Sequence, residues 1–384
     1  MTNLYDIFII GGGINGAGIA RDAAGRGLKV YLAEKGKIGS ATSSWSTKLI
    51  HGGLRYLENY EFKLVRESLI ERDIIHKIAP NITKSLPFVI PYNKKIRSKW
   101  LIKLGLFIYD HIGGKSNMHK SSTLNINKKF PDLFKDKYSI GFEYFDLQVD
   151  DKKLTEINIE DAKKNKAVVL ENTKVVSAKR IFDKWSIKLD NNKRINAKIL
   201  INASGPWVNE VIKNIIKIPS KKNIRLVKGS HIIVKKFHKY ETAFTLQNFD
   251  NRIVFVIPYK DKFSLIGTTE IEVKSPEDPK INDQETEYLI SCVNNYFQKQ
   301  IKKSDIIQTY SGIRPLIEDY REASKITRDY VFDLNLEKNS LPLLNIFGGK
   351  LTSYRKLAEE ALKDLNNFLP IYARKSWTSS KKIN

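Results

Sequence analysis

Two hydrophobic periods alternate along this chain. Residues 5 to 34 read YDIFIIGGGINGAGIARDAAGRGLKVYLAE. Their apolar run Ile7–Ile10 predicts a short buried strand, Ala17 to Ala24 follow helical periodicity, and LKVYLAE predicts a second strand ending in Glu34. INASGPW (201–207) is an apolar strand entering a turn of small residues, and LLNIFGGKLTSYRKLAEEAL (343–362) runs from a buried strand through two glycines into an amphipathic helix. Between them the period changes to two. VKGSHIIV (227–234) and FVIPYKDKFSLIGTTE (255–270) alternate apolar and polar, which predicts antiparallel strands with His231 and the Thr268–Thr269 pair at strand ends. Strand–helix–strand units near both ends and a period-two middle predict an α/β protein with a second, antiparallel-sheet domain. The length of 384 residues also favours two domains.

The first unit carries a mechanism. Gly11, Gly13 and Gly16 form GxGxxG between strand and helix. Gly11 permits the turn, Gly13 lets backbone reach a pyrophosphate, and Gly16 lets the helix pack on the strand, with the helix N-terminus facing the phosphates. Glu34 falls where a carboxylate holds ribose hydroxyls, which argues for NAD or FAD over NADP. The motif opens the chain with no catalytic domain ahead of it, and GSATSSWSTK (39–48) follows with hydroxyls and backbone donors for the pyrophosphate and flavin side of an extended cofactor. Both features favour FAD.

Other segments leave two readings open. KLIHGGLRYLENYEF (48–62) is either a turn with a surface arginine or a site in which Arg55 meets an anion and His51 moves a proton. YSGIRPLIED (310–319) fixes Arg314 between a glycine and a proline, and Gly348–Gly349 with Lys350 and Thr352 form either a second anion cradle or a plain helix start. NKKIRSKWLIKLGLFIYDHIGGK (93–115) is basic, then apolar, and reads as an interfacial helix or as a buried helix with a polar edge.

Composition narrows the classes. The chain is 41% hydrophobic and 28% charged, hence globular. Its one cysteine, Cys292, excludes an intrachain disulfide framework and a multi-cysteine metal site, and fits a reducing cytoplasm. No metal-ligand spacing occurs. A net charge of +24 would attract anionic lipid, nucleic acid or small anions, but the lysines are scattered and accompanied by many Asn and Ile. Aromatic and basic residues are not interleaved as in an RNA-binding sheet, so nucleic acid is not expected. No stretch is apolar enough to span a membrane, and no signal peptide precedes the first strand.

Read together and in order, IIGGGINGAGIARDAAGRGLKV, ATSSWSTKLIHGGLRYLENYEF, INASGPWV, IRLVKGSHIIV, RIVFVIPY, IGTTE, YSGIRPL, ITRDY and FGGKLTSYRKLAE resemble the FAD-dependent glycerol-3-phosphate dehydrogenases of the bacterial, quinone-linked, membrane-associated type, from residue 4 to about residue 378. The resemblance implies a Rossmann-like FAD domain of the glutathione-reductase/D-amino-acid-oxidase type, split in sequence (1–90, 145–215 and 310–370). It implies an antiparallel cap domain (91–144 and 216–309) with 93–115 toward the membrane, and a tail at 371–384. It implies oxidation of sn-glycerol 3-phosphate to dihydroxyacetone phosphate, with electrons passing from FAD to a membrane quinone at an anionic inner membrane face; a homodimer is left open. By position, Gly11, Gly13, Gly16, Glu34, Thr42, Ser43, Ser44, Lys48, Gly205, Gly349 and Leu351 correspond to FAD contacts. His51, Arg55, Tyr56, His231, Thr269, Arg314, Arg328 and Lys350 correspond to the substrate site, with His231 favoured over His51 as base and Lys350 and Arg314 stabilising charge on the reacting oxygen.

Three departures stand out. The family pattern continues into a further helical domain beyond the point where this sequence ends, Ser204 stands where the family usually has Thr, and Leu147–Gln148 replace bulkier residues. Competing expectations are a soluble oxidase of the same substrate using oxygen, a FAD-binding protein without turnover, and an amine or amino-acid oxidase.

Overall fold

A computed structural model describes residues 4–318, 329–336 and 341–383. Strand β1, Leu4–Ile10, runs into helix α1, Ile14–Gly25, and then strand β2, Val30–Ala33. β2 lies parallel to β1, and Val168–Leu170 lies parallel to β2. On the other side of β1 come Arg194–Asn202 and Leu343–Gly348, both parallel, and then Tyr330–Asn335, antiparallel. Helices cover the sheet on one face. Ile7 and Ile9 pack there against Ala17, Ala20 and Ala23 of α1 and Leu357 of the helix Tyr354–Asp364. Phe8 and Ile10 turn the opposite way, onto Tyr31, Trp185 and Ile187. Both faces are buried, so β1 reads as a continuous apolar run.

The second sheet is antiparallel except where Ala243–Gln247 runs parallel to Thr83–Pro91. Its outer face carries Ile232, Val234, Phe244, Val254 and Ile266, which pack on Leu289 and Val293 of the helix Asp283–Tyr296. Its inner face turns toward the first domain. One cross-strand row on that face runs Thr245, Phe255, Gly267, His231, Tyr310. Helices α2, Phe62–Ile78, and α3, Lys99–Ile112, close one end through Leu69, Ile102, Leu106 and Tyr109.

The expected fold class is what is found. Thr83–Pro91 and Ile306–Ile317 are strands of the antiparallel sheet, so the divisions expected at 90 and 310 fall within strands. Apolar patterning predicts a strand but not the sheet it joins. The helix expected within 93–115 forms at Lys99–Ile112, capped by the Ser98 hydroxyl, which accepts from the Leu101 N–H. Trp100 and Phe107 are 79% and 61% exposed, with Leu101 and Leu104 over half exposed, whereas Ile102, Leu106 and Tyr109 are buried. This helix therefore has two apolar faces and packs only one.

The tail lies on the first domain. Trp377 Nε1 donates to the Asp22 carbonyl at 3.1 Å, and the Ile383 N–H donates to the Ile78 carbonyl at 2.8 Å. Beside it, Arg355 is buried against two carboxylates. Its Nε donates to Glu71 at 2.8 Å, a second nitrogen pairs with Glu359, and Nη1 also donates to Thr378 at 3.1 Å. Arg355→Ala would strand Glu71 without its cation and should lower the unfolding free energy by about 3–5 kcal/mol. Lys153→Ala, which loses only exposed pairs to Glu156 and Glu160, should change it by about 0–1 kcal/mol. Urea denaturation of the two variants measures the contrast.

Candidate active site

Three parallel strands end on one crevice: β1 at Ile10–Gly11, Arg194–Asn202 at Ala203–Ser204–Gly205, and Leu343–Gly348 at Gly349–Lys350. A cavity of about 850 Å³ opens there and reaches across to the antiparallel sheet and α3. Crevices outside the carboxyl ends of parallel strands are where open α/β sheets bind ligands.

Backbone proximity shapes the first half of the site. Gly11 has φ +106°, and a Cβ there would lie 2.7 Å from the Ala203 carbonyl oxygen. A Cβ on Gly16 would lie 2.0 Å from the Gly11 oxygen. Neither position admits a side chain, so the start of α1 stays pressed to the strand end. Gly13, Ile14 and Asn15 of that first turn line the cavity. The Ser43 hydroxyl accepts from the Ile14 N–H at 2.9 Å. Asn15 Oδ1 is buried without a partner. Glu34, at the end of β2, accepts from the Gly12 and Gly36 N–H groups at 2.6 and 2.8 Å and lines the same cavity.

Among the expected cofactor residues, Gly11, Gly13, Glu34, Thr42, Ser43, Gly205, Gly349 and Leu351 line the cavity. Gly16, Ser44 and Lys48 stand behind it. The Ser44 hydroxyl donates to the Gly39 carbonyl, and Lys48 Nζ pairs with Asp151 at 2.7 Å and donates to the Ser44 carbonyl at 3.1 Å. These two residues shape the loop rather than the cavity wall. Thr42 Oγ1 donates to the Ile313 carbonyl at 2.7 Å and so joins the loop to the antiparallel sheet. The residues fit a long dinucleotide. A helix N-terminus suits a pyrophosphate region, and Glu34 suits a ribose.

The other half of the cavity gathers cations. Arg55, Tyr56, Arg314, Lys350 and His51 all line it. The Arg314 guanidinium lies flat over Gly229, whose Cβ would meet it at 2.5 Å. It donates to Thr268 Oγ1 at 3.0 Å and to the Thr269 carbonyl at 3.4 Å. Lys350 Nζ sits 4.7 Å from the centre of the Tyr56 ring and donates to Ser68 at 3.1 Å. Burial, and then the charge of Lys350, push the His51 imidazole down to about 4, so it is neutral at physiological pH.

Three expected substrate residues are placed otherwise or not described. His231 is 1% exposed and does not line the cavity. Its Nε2 pairs with Thr47 Oγ1 at 3.0 Å, and its ring stacks on Tyr310. Burial first, then Arg314 and Lys48, hold it well below its ordinary pKa. It reaches the cavity through Thr47, which is on the wall. Thr269 is 1% exposed, and its hydroxyl donates to Glu285 at 2.6 Å, while its neighbour Thr268 lines the cavity. Arg328 lies outside the described residues. Thr352, read with Lys350 as part of an anion cradle, is on the wall; sequence reading missed Asp146 there, and a carboxylate inside an apolar strand, EYFDLQ, is the signal that could have found it.

A glycine-rich parallel-sheet cradle sharing one cavity with an antiparallel cap defines an FAD-binding oxidoreductase. The chain belongs to the FAD dependent oxidoreductase family, whose model matches residues 6–355. It is 47% identical over 374 residues to D-erythritol 1-phosphate dehydrogenase of Brucella abortus, covering 95% of this chain and 74% of that one. It is 46% identical over 370 residues to aerobic glycerol-3-phosphate dehydrogenase of Escherichia coli, covering 94% and 74%. Glycerol-3-phosphate dehydrogenase from Bacillus halodurans, solved with FAD, superposes with a TM-score of 0.72 at 28% identity over 95% of this chain and 65% of that chain. The cofactor of this chain is FAD. No helix among the described residues is long and apolar enough to cross a membrane.

Gly16→Ala is expected to yield protein without the flavin absorbance near ~450 nm that bound FAD supplies. Visible spectra of the purified wild type and variant check this; a variant that stays yellow would remove the close approach from the account.

Proposed function

We propose that this chain oxidises sn-glycerol 3-phosphate to dihydroxyacetone phosphate. The observation that carries the reading is that Arg55, Arg314 and Lys350 converge on the cavity that holds the FAD cradle, beside a neutral histidine. Several fixed cations suit a phosphate dianion better than a single carboxylate. Bound FAD supplies a two-electron hydride acceptor. The residues do the rest. Arg55 and Tyr56 hold the phosphate end and so orient the carbon bearing the secondary hydroxyl. His51 accepts the hydroxyl proton as the C–H bond gives up its electron pair and a C=O bond forms. His51 takes this role ahead of His231, because His51 is on the cavity wall and His231 stands behind Thr47. Lys350 and Arg314 stabilise negative charge growing on that oxygen. D-erythritol 1-phosphate is the second reading, favoured by the 47% identity to a dehydrogenase of that compound.

The acceptor reading rests on α3. Leu101 and Leu104 belong both to its exposed apolar face and to the cavity wall. Lys94, Lys95, Lys99 and Lys103 adjoin that face. A surface of this kind lies on an anionic membrane with its apolar side chains in the acyl boundary. The protein then sits peripherally on the inner face of the cytoplasmic membrane, and electrons leave to a quinone dissolved there. A soluble oxidase would have no use for such a face.

Anaerobic addition of sn-glycerol 3-phosphate, with no acceptor present, should bleach the flavin. Arg55→Ala and Arg314→Ala should keep FAD and lose bleaching by about 10²-fold or more. If D-erythritol 1-phosphate alone bleaches it, the second reading replaces the first; if neither compound does, or if the arginine variants lose FAD, the substrate site is misplaced. Trp100→Glu with Phe107→Glu, both on the exposed face and off the cavity wall, should abolish sedimentation with vesicles containing phosphatidylglycerol while leaving anaerobic bleaching intact. Unchanged sedimentation would count against the membrane reading.

A further inference from the structure

The turn His51–Gly52–Gly53 carries the proton acceptor and leads into the short 3₁₀ helix Leu54–Asn59, which presents Arg55 and Tyr56. Its backbone is held at two points. The His51 N–H donates to Thr352 Oγ1 at 3.2 Å, and the Gly52 N–H donates to the Tyr109 hydroxyl at 2.8 Å. Tyr109 comes from α3. Its hydroxyl also lies 2.9 and 2.8 Å from the two oxygens of Asp146, on the strand Ile140–Val149. A phenol has one proton. That proton goes to Asp146, which leaves an oxygen lone pair facing Gly52.

Asp146 is in turn fixed from α2. Arg72 Nη1 donates to Asp146 at 3.1 Å and to the Phe145 carbonyl at 3.0 Å, while Arg72 Nε pairs with Asp73 at 2.9 Å. Tyr109, Asp146 and Arg72 are each under 5% exposed. Burial pushes the Asp146 carboxyl up to about 6, against the pull of Arg72 and Tyr109. Packing alone does not call for such a group. A buried ion pair gives little net stability over apolar residues of the same volume. What this pair does provide is a phenol oxygen with a fixed orientation at one backbone N–H. The turn is also pressed close: a Cβ on Gly52 would lie 2.5 Å from Leu69 and 2.8 Å from the Tyr109 ring.

We infer that Asp146 and Tyr109 are positioning residues that hold the His51–Gly53 turn, and through it Arg55 and Tyr56, at the distance the substrate phosphate requires. This rests on the polyol-phosphate reading of the cavity. Tyr109 is off the cavity wall and acts on binding geometry through the turn, whereas Asp146 also lines the cavity, so Tyr109→Phe is the deciding variant.

The holoenzyme tests it with Tyr109→Phe, which removes one oxygen atom, and Asp146→Asn. Per bound flavin, the KM for sn-glycerol 3-phosphate should rise about tenfold or more, with the limiting rate of anaerobic reduction within about threefold of wild type. FAD content should be unchanged. Amide exchange of residues 51–56 should quicken about tenfold in the variant while strand β1 keeps its protection. Leu289→Ala, in the core under the far face of the antiparallel sheet, is the stability control: it lowers the melting temperature and leaves KM and the exchange of 51–56 alone. If Asp146→Asn fails to fold, Tyr109→Phe decides. A Tyr109→Phe enzyme that melts earlier but keeps the wild-type KM, or keeps the wild-type exchange at 51–56, overturns the inference. If neither polyol phosphate reduces the wild type, the functional reading falls, and the exchange measurement still decides this one.

Discussion

The close approach of backbone at Gly11 is the constraint on which the rest of the structure depends. The Gly11 carbonyl touches α1 at Gly16, and Gly11 itself lies against the Ala203 carbonyl of the neighbouring strand. Only glycine leaves space for both contacts. They place the start of α1 at the ends of β1 and Arg194–Asn202, and Leu343–Gly348 brings Gly349 and Lys350 to the same rim. One crevice thereby receives both the start of α1 and the Lys350 cation.

The antiparallel sheet completes the site from across the cavity. Its strand register sets Arg314 opposite Val227, and the guanidinium lies over the bare backbone of Gly229 two residues on. Thr42 ties the FAD loop to the same strand at Ile313. The two domains therefore share hydrogen bonds as well as the cavity. A substrate with its phosphate on Arg55 and its reacting oxygen on Arg314 would be fixed by groups from both sides, which converts binding energy into orientation of the reacting carbon.

Much of this was legible in the sequence. The strand, the glycines, the helix and Glu34 were read from local pattern, because each depends on neighbours within about thirty residues. The grouping of Arg55 with the distant Arg314 and Lys350 came from family resemblance rather than from any local physical signal. What the sequence withheld was depth. His231 occupies a strand position and Thr269 lies just past a strand end; the pattern suggests a face for each but not whether a neighbour stands in front of it. Thr47 and Thr268 do stand there. Likewise Lys48 and Ser44 have the chemistry of phosphate contacts yet spend it on Asp151 and Gly39. The two-faced apolar pattern of α3 was visible, while its unpacked face required the tertiary structure.

The most direct test of the account is a crystal structure of the FAD complex with dihydroxyacetone phosphate bound. The account predicts phosphate oxygens within hydrogen-bond distance of Arg55 and Tyr56, with the ketone oxygen near His51 and Lys350. A phosphate bound away from Arg55, or a carbonyl turned from His51 toward the mouth of the cavity, would contradict it.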